Sequence, residues 1–174
     1  MCLWQLALGL SSAREARKQV RPWLQTLPPK ARARAIKYAL PYLRKTRGSI
    51  INLGSLVGQI GQEWATTYAA TKGAVSALTK ALAVDKARHG VRVNAVLPGC
   101  IGTPAHRDRP KELQDFVDSW QWTGRVGTIE EVGYACLFLA SDGASFITGI
   151  DLLVTGGAEL AYGVKWPKEG RIQL

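Results

Sequence analysis

The stretch Gly48-Ser49-Ile50-Ile51-Asn52-Leu53-Gly54-Ser55 decides the fold. Five residues between glycines are too few for a helix, and the paired isoleucines leave neither face polar. A short apolar run without alternation is how a strand reads when both faces of its sheet are covered. Downstream, Thr67 to Arg88 has the helical period and is stopped by Gly90. Val91-Arg92-Val93-Asn94-Ala95-Val96-Leu97 is a second strand, ended by Pro98-Gly99. The segment from Ala105 to Gly124 shows no regular pattern. Thr128 with Glu131 three residues on is the signature of a capping box, opening a helix that carries Val132, Leu137 and Leu139. A third strand covers residues 150–154. Upstream, Lys30 to Lys45 is helical, with Pro41 expected to kink it, while Pro22, Pro28 and Pro29 break any long helix before it. Strands alternating with helices predict right-handed crossovers and a parallel α/β sheet of about three strands.

Composition narrows the class. The chain has 174 residues, enough for one domain with a single core, and is 47% apolar and 21% charged, as globular proteins are. No apolar run approaches the roughly 18 residues of a membrane span. The stretch from Leu3 to Leu10 is short and has no Lys or Arg before it, so no secretory signal is expected. Cys2, Cys100 and Cys136 are odd in number and scattered, and His89 and His106 have no ligand spacing. That pattern predicts reduced thiols, a cytoplasmic setting and no metal site.

The formal net charge of +10 resides in residues 1–47, where eleven Lys/Arg face Glu15 alone; the remaining residues carry twelve charges of each sign. Three readings of this basic segment stay open. It is a solvated arm, or a mitochondrial presequence with Arg14, Arg17, Lys18 and Arg21 on one helical face, or a nucleic-acid surface. No aromatic-and-basic module accompanies it, so nucleic acid is not the expected partner.

The chemistry lies in three residues. Tyr68 and Lys72 are four apart on the long helix and share a face. Ser55 stands thirteen residues before Tyr68, at the carboxyl end of the first strand. A free phenol, with a pKa of about 10, exchanges protons poorly at neutral pH. An ammonium held beside a phenol favours the phenolate, and a serine hydroxyl at the strand end can hydrogen-bond the substrate oxygen. The three together suit proton transfer to or from an alcohol while a cofactor exchanges hydride with its carbon. Taken alone the pair is weak, because an ordinary helix-surface Tyr and Lys give the same spacing. Its context gives it weight.

That context is Ser55-Leu56-Val57-Gly58, Tyr68-Ala69-Ala70-Thr71-Lys72-Gly73-Ala74, Gly90-Val91-Arg92-Val93-Asn94 and Pro98-Gly99-Cys100-Ile101-Gly102-Thr103-Pro104, in this order and spacing. The chain from about residue 37 to 174 resembles the short-chain dehydrogenase/reductase family. The strings Ala39-Leu40-Pro41-Tyr42-Leu43-Arg44-Lys45 and Thr148-Gly149-Ile150-Asp151-Leu152-Leu153-Val154-Thr155-Gly156-Gly157-Ala158-Glu159-Leu160 are similar to its type 14 17-beta-hydroxysteroid dehydrogenase branch. The resemblance implies the C-terminal half of a Rossmann-like doubly wound parallel sheet at 37–174, preceded by a basic segment at 1–36 that is poorly ordered or partly helical. It implies NAD as cofactor, with NADP not excluded, a homo-oligomer, and a steroid-like or other lipophilic secondary alcohol or ketone as substrate. It gives Ser55 the role of orienting the substrate, Tyr68 that of acid and base, and Lys72 that of tuning Tyr68 and holding the nicotinamide ribose. Pro98, Gly99, Ile101 and Thr103 would face the nicotinamide carboxamide and the phosphates.

The sequence also departs from that pattern. No Thr-Gly-x-x-x-Gly-x-Gly or G-x-G-x-x-G occurs in it, although such a turn receives the pyrophosphate at a helix N-terminus. No Asn-Asn-Ala-Gly element is present, and Pro28 falls near the place of the family's active-site asparagine. The segment from Ala105 to Gly124, the family's substrate-covering loop, is shorter, and its Phe116, Trp120 and Trp122 either cover an apolar substrate or are exposed linker aromatics. The strand at 50–53 is expected to present an open edge, a template for association. Three functions follow from these observations: a working oxidoreductase, a truncated isoform that assembles with full-length subunits, or an incomplete gene product.

Overall fold

The computed structural model describes residues 5–8 and 29–160, apart from the side chains of residues 5–8, 29–33 and 105. The elements are β1 (Gln5–Leu8), α1 (Pro29–Thr46), β2 (Ser49–Leu53), α2 (Thr66–Ala87), β3 (Arg92–Pro98), α3 (Pro104–Arg107), α4 (Lys111–Asp118), α5 (Ile129–Ala140) and β4 (Asp151–Val154). They form one sheet in the order β1-β2-β3-β4. β2, β3 and β4 are parallel, with Ile51 opposite Asn94 and Leu97 opposite Leu153. This is the α/β Rossmann-like arrangement expected from the alternation of elements.

Residues of β2 go alternately to the two faces of the sheet, as the pleat requires. Ile50 packs with Ile36, Leu43, Ala83, Val91 and Val93 beneath α1 and α2. Ile51 and Leu53 pack with Val96, Leu139 and Ala144 on the α5 side. The polar residues of the strand are satisfied on the same alternation. Ser49 Oγ donates to the Leu139 carbonyl at 3.2 Å, and Asn52 Nδ2 donates to Thr79 Oγ1 at 2.8 Å. Helices on both faces explain why the strand has no polar side.

The helix ends follow from local chemistry. α1 opens on Pro29, whose missing N–H would be unpaired at that position in any case. It runs through Pro41 rather than ending there. Arg47 then adopts φ +50 and the Gly48 N–H closes on the Leu43 carbonyl at 2.9 Å, a Schellman-type stop. Gly90, at φ +68, supplies the left-handed residue after α2. The capping box expected at Thr128 is present, with the Thr128 side chain accepting from the Glu131 N–H and the Glu131 carboxylate accepting from the Thr128 N–H. Arg92 reaches from the start of β3 to donate to the Leu139 and Ser141 carbonyls, at 2.7 and 3.1 Å, and so caps the far end of α5.

Two expectations are corrected. The edge of β2 is not open: β1 lies along it antiparallel, from Gln5 opposite Asn52 to Leu8 opposite Ser49. The short apolar N-terminal stretch supplies a strand that the alternation of later elements could not reveal. The segment from Ala105 to Gly124 is not irregular. It contains most of α3 and all of α4, in which Val117 is buried and Phe116 meets Trp120 edge-on at 5.4 Å. Spacing of apolar residues over eight positions was too short to register as a helix.

Candidate active site

Each parallel strand ends at the same side of the sheet. Ser55 follows β2, Gly99 follows Pro98 at the end of β3, and Thr155 follows β4. Ligands of open α/β sheets bind at these carboxyl ends. Gly54 joins the first two, because its N–H donates to the Val96 carbonyl at 2.9 Å and a Cβ there would lie 3.0 Å from the Leu97 side chain. Gly99 joins the second and third. Its N–H donates to the Val154 carbonyl at 2.9 Å, and a Cβ would lie 3.0 Å from the Thr155 Cα.

Ser55 is buried and extended, and its Oγ accepts from the Val57 N–H at 3.3 Å, which starts the short 3-10 turn at Leu56–Gly58. That bond leaves the hydroxyl proton available for another acceptor. Lys72 stands on α2 and is only 3% exposed. Its Nζ donates to the Gly54 carbonyl at 2.7 Å and approaches the Leu53 carbonyl at 3.5 Å. An ammonium this deep is tolerated where backbone carbonyls replace its water. The same Nζ lies 5.5 Å from the centroid of the Tyr68 ring, within cation–π reach. Tyr68, one turn earlier, is half-buried. The structure therefore brings Lys72 to the residue beside Ser55 and to the ring of Tyr68.

From the last residue of β3 onward, residues 98–103 form a strap. Ile101 bridges Gly127 in parallel, the Gly102 N–H donates to the Gly127 carbonyl at 2.8 Å, and the Gly127 N–H donates to the Cys100 carbonyl at 2.9 Å. The Thr103 N–H donates to the Ile101 carbonyl at 2.7 Å, and Thr103 precedes α3. Burial pushes the Cys100 thiol up, Arg109 pulls it down and Asp118 adds to the rise. The Cys100 thiol, within the strap, is thus a poor nucleophile at neutral pH.

A nicotinamide cofactor fits these residues in one half. The buried Lys72 side chain and the strap at Pro98, Gly99, Ile101 and Thr103 are the residues that would hold a nicotinamide and its ribose. For the pyrophosphate half, no glycine-rich turn leading into a helix lies among the described residues. Among the described residues no three His, Cys, Asp or Glu side chains gather to hold a metal, and no helix is long and apolar enough to cross a membrane. Pro28, Cys2 and the basic face of Arg14, Arg17, Lys18 and Arg21 lie outside the described residues.

Sequence reasoning missed several supports of the site. Gln121 is buried and donates to the Val117 carbonyl at 2.8 Å, which anchors the segment carrying the exposed Trp120 and Trp122. Asp151 receives Gln59 at 3.2 Å and Lys80 at 3.4 Å, tying the loop after Ser55 to α2 and β4. Both join residues distant in sequence, so periodicity carries no trace of them. Gly58 was visible as a loop glycine, but not the contact it makes.

Residues 29–159 match the family model described as Enoyl-(Acyl carrier protein) reductase. Among curated proteins the chain is 55% identical over 139 residues to L-fucose dehydrogenase of Mus musculus, covering 76% of the chain and 50% of that protein. It is 44% identical over 128 residues to meso-2,3-butanediol dehydrogenase of Serratia marcescens, covering 73% and 51%. It is 43% identical over 111 residues to (3R)-3-hydroxyacyl-CoA dehydrogenase of Homo sapiens, covering 64% and 42%. The chain spans about half the length of the curated relatives it matches. With a strand-end serine, a helix bearing Tyr68 and a buried Lys72, and this likeness over most of its length, the chain belongs to the short-chain dehydrogenase/reductase family of oxidoreductases.

Proposed function

We propose that this chain carries the proton-transfer site of an NAD(P)-dependent oxidoreductase that interconverts a secondary alcohol and a ketone. The observation that supports it most is the buried Lys72 ammonium, fixed at 2.7 Å on the Gly54 carbonyl and 5.5 Å from the Tyr68 ring. In the direction of oxidation, the Ser55 hydroxyl holds the substrate oxygen and the Tyr68 oxygen takes its proton. The Lys72 ammonium favours the charged phenolate at the moment the proton moves. In reduction the same oxygen returns the proton. The nicotinamide, when bound, takes or gives the hydride. Lys72 would hold its ribose and the Pro98–Thr103 strap its carboxamide, with NAD the expected form.

The substrate class follows from the shared chemistry of the relatives' names. L-fucose, meso-2,3-butanediol and a 3-hydroxyacyl group each bear a secondary hydroxyl. A steroid-like alcohol belongs on the same panel, since the exposed Phe116, Trp120 and Trp122 offer apolar cover. Homo-oligomerisation in the cytoplasm is part of this reading. It is supported by free Cys100 and Cys136 and by Ala70, Ala74 and Ala77, which leave one face of α2 exposed. A second reading is a subunit without turnover that associates with longer family members, for which the exposed small-residue face of α2 offers a surface.

Turnover separates them. The purified chain is incubated with NAD or NADP and a panel of sugar, diol, hydroxyacyl and steroid alcohols. Alcohol-dependent reduction of the cofactor is expected. No reduction across the panel at saturating cofactor, with co-purification of a longer dehydrogenase, would establish the second reading instead.

A further inference from the structure

Between Ser55 and the Tyr68 helix the two backbones touch. A Cβ at Gly58 would stand 2.7 Å from the Lys72 carbonyl carbon, 2.8 Å from the Gly73 nitrogen and 3.0 Å from the Lys72 Cβ. A Cβ at Gly73 would stand 3.3 Å from the Gly58 carbonyl oxygen. Gly61, three residues further along the same loop, has nothing within 4 Å. The φ of Gly58 is not in the left-handed region. What demands glycine there is space alone, and the atoms in the way are helix backbone, which cannot rotate aside as a side chain can.

The contact falls at a chosen place. Gly58 closes the 3-10 turn whose first N–H acceptor is the Ser55 hydroxyl oxygen, and its own N–H donates to the Ser55 carbonyl at 3.0 Å. Across the contact lies Lys72 itself, whose Nζ returns to the Gly54 carbonyl at 2.7 Å. Two links therefore close a small ring: backbone against backbone at Gly58 and Lys72–Gly73, and ammonium to carbonyl at Gly54. We propose that Gly58 is a positioning residue for the reaction, setting the separation of the Ser55 hydroxyl from the Lys72 ammonium and the Tyr68 ring. Displacing the turn by the overlap that a methyl group creates lengthens the Lys72–Gly54 bond and moves Ser55 away from Tyr68 together. This rests on the function proposed above, but the geometry is readable without turnover.

The test is acylation of lysines in the native chain, mapped by mass spectrometry, in Gly58→Ala, Gly73→Ala and Gly61→Ala. Lys72 is buried and bonded, so it labels slowly in the parent chain. Gly58→Ala is expected to raise Lys72 labelling several-fold, Gly73→Ala to raise it less, and Gly61→Ala to leave it unchanged. Lys86, on the same helix and paired with Asp85 at 3.6 Å, reports general loosening and is expected to hold steady in all three. Unchanged Lys72 labelling in Gly58→Ala, or a parallel rise at Lys86, overturns the proposal. Should Gly58→Ala not fold, Gly73→Ala decides by the same two lysines. In a preparation that turns over, Gly58→Ala is expected to lower kcat about 10²-fold with the alcohol KM little changed, as misplacement by about an ångström does. The expected labelling in a chain that shows no turnover would uphold the Gly58–Lys72 geometry and count against the proposed function alone.

Discussion

Lys72 is the residue on which the account turns, because burying an ammonium is costly unless carbonyl oxygens replace its hydration. The Gly54 and Leu53 carbonyls do that here, at the carboxyl end of β2. A contrasting residue is Cys136, in α5, whose thiol burial pushes up to about 11. Alkylation at neutral pH is therefore expected to spare Cys136 until the chain unfolds, since the thiolate is the reactive form. Rapid modification in native buffer, read by mass spectrometry, would show that the α5 face is not packed as described. Thr79 makes a similar point for hydrogen bonds. Its hydroxyl accepts from Asn52 and donates to the Val75 carbonyl, both at 2.8 Å and fully buried. Thr79→Val strands the Asn52 amide and is expected to cost about 1–3 kcal/mol in urea unfolding. A cost near zero would mean that another group takes over the amide.

Elements were legible in the sequence wherever one period ran long enough. β2 was read from two isoleucines between glycines, α2 from its length and Gly90, and α5 from Thr128 and Glu131. The α4 helix was missed because eight residues hold only two turns, and β1 because its role depends on pairing with a strand forty residues away. The sequence placed Tyr68 and Lys72 on one face, yet the bond from Lys72 to Gly54 depends on how α2 crosses the sheet, which no local pattern encodes. The start of α5 carries a pH signature. Arg125 bonds the Glu131 carboxylate and the Thr128 N–H adds a second donor, holding its pKa at about 2. A carboxylate depressed in the fold contributes stability that is complete above its unfolded value of about 4.3 and is lost as pH falls toward 2. Glu131→Gln is expected to flatten the stability profile between those limits, as read by thermal melts across pH. An unchanged slope would assign that titration to other carboxylates. Thr128→Ala removes the other half of the box and is expected to cost about 1 kcal/mol at any pH.

For the whole molecule, the sheet brings the ends of β2, β3 and β4 together, with Ser55, Gly99 and Thr155 just beyond them. Among the described residues the sheet carries no turn for a pyrophosphate, so in the proposed function these residues would hold the dinucleotide through Lys72 and the Pro98–Thr103 strap. The expected consequence is a high KM for NAD with proton transfer intact once cofactor saturates. A fluorescence titration with NADH that saturates at micromolar concentration would show a pyrophosphate site elsewhere in the assembly. The central claim is that the Tyr68 oxygen carries the proton. Its most direct test compares alcohol-dependent NAD reduction by the chain and by Tyr68→Phe, with NAD raised until the rate stops growing. Removal of that single oxygen is expected to lower kcat by about 10²- to 10⁴-fold while the fold is retained. Turnover by Tyr68→Phe at the parent rate would contradict the account.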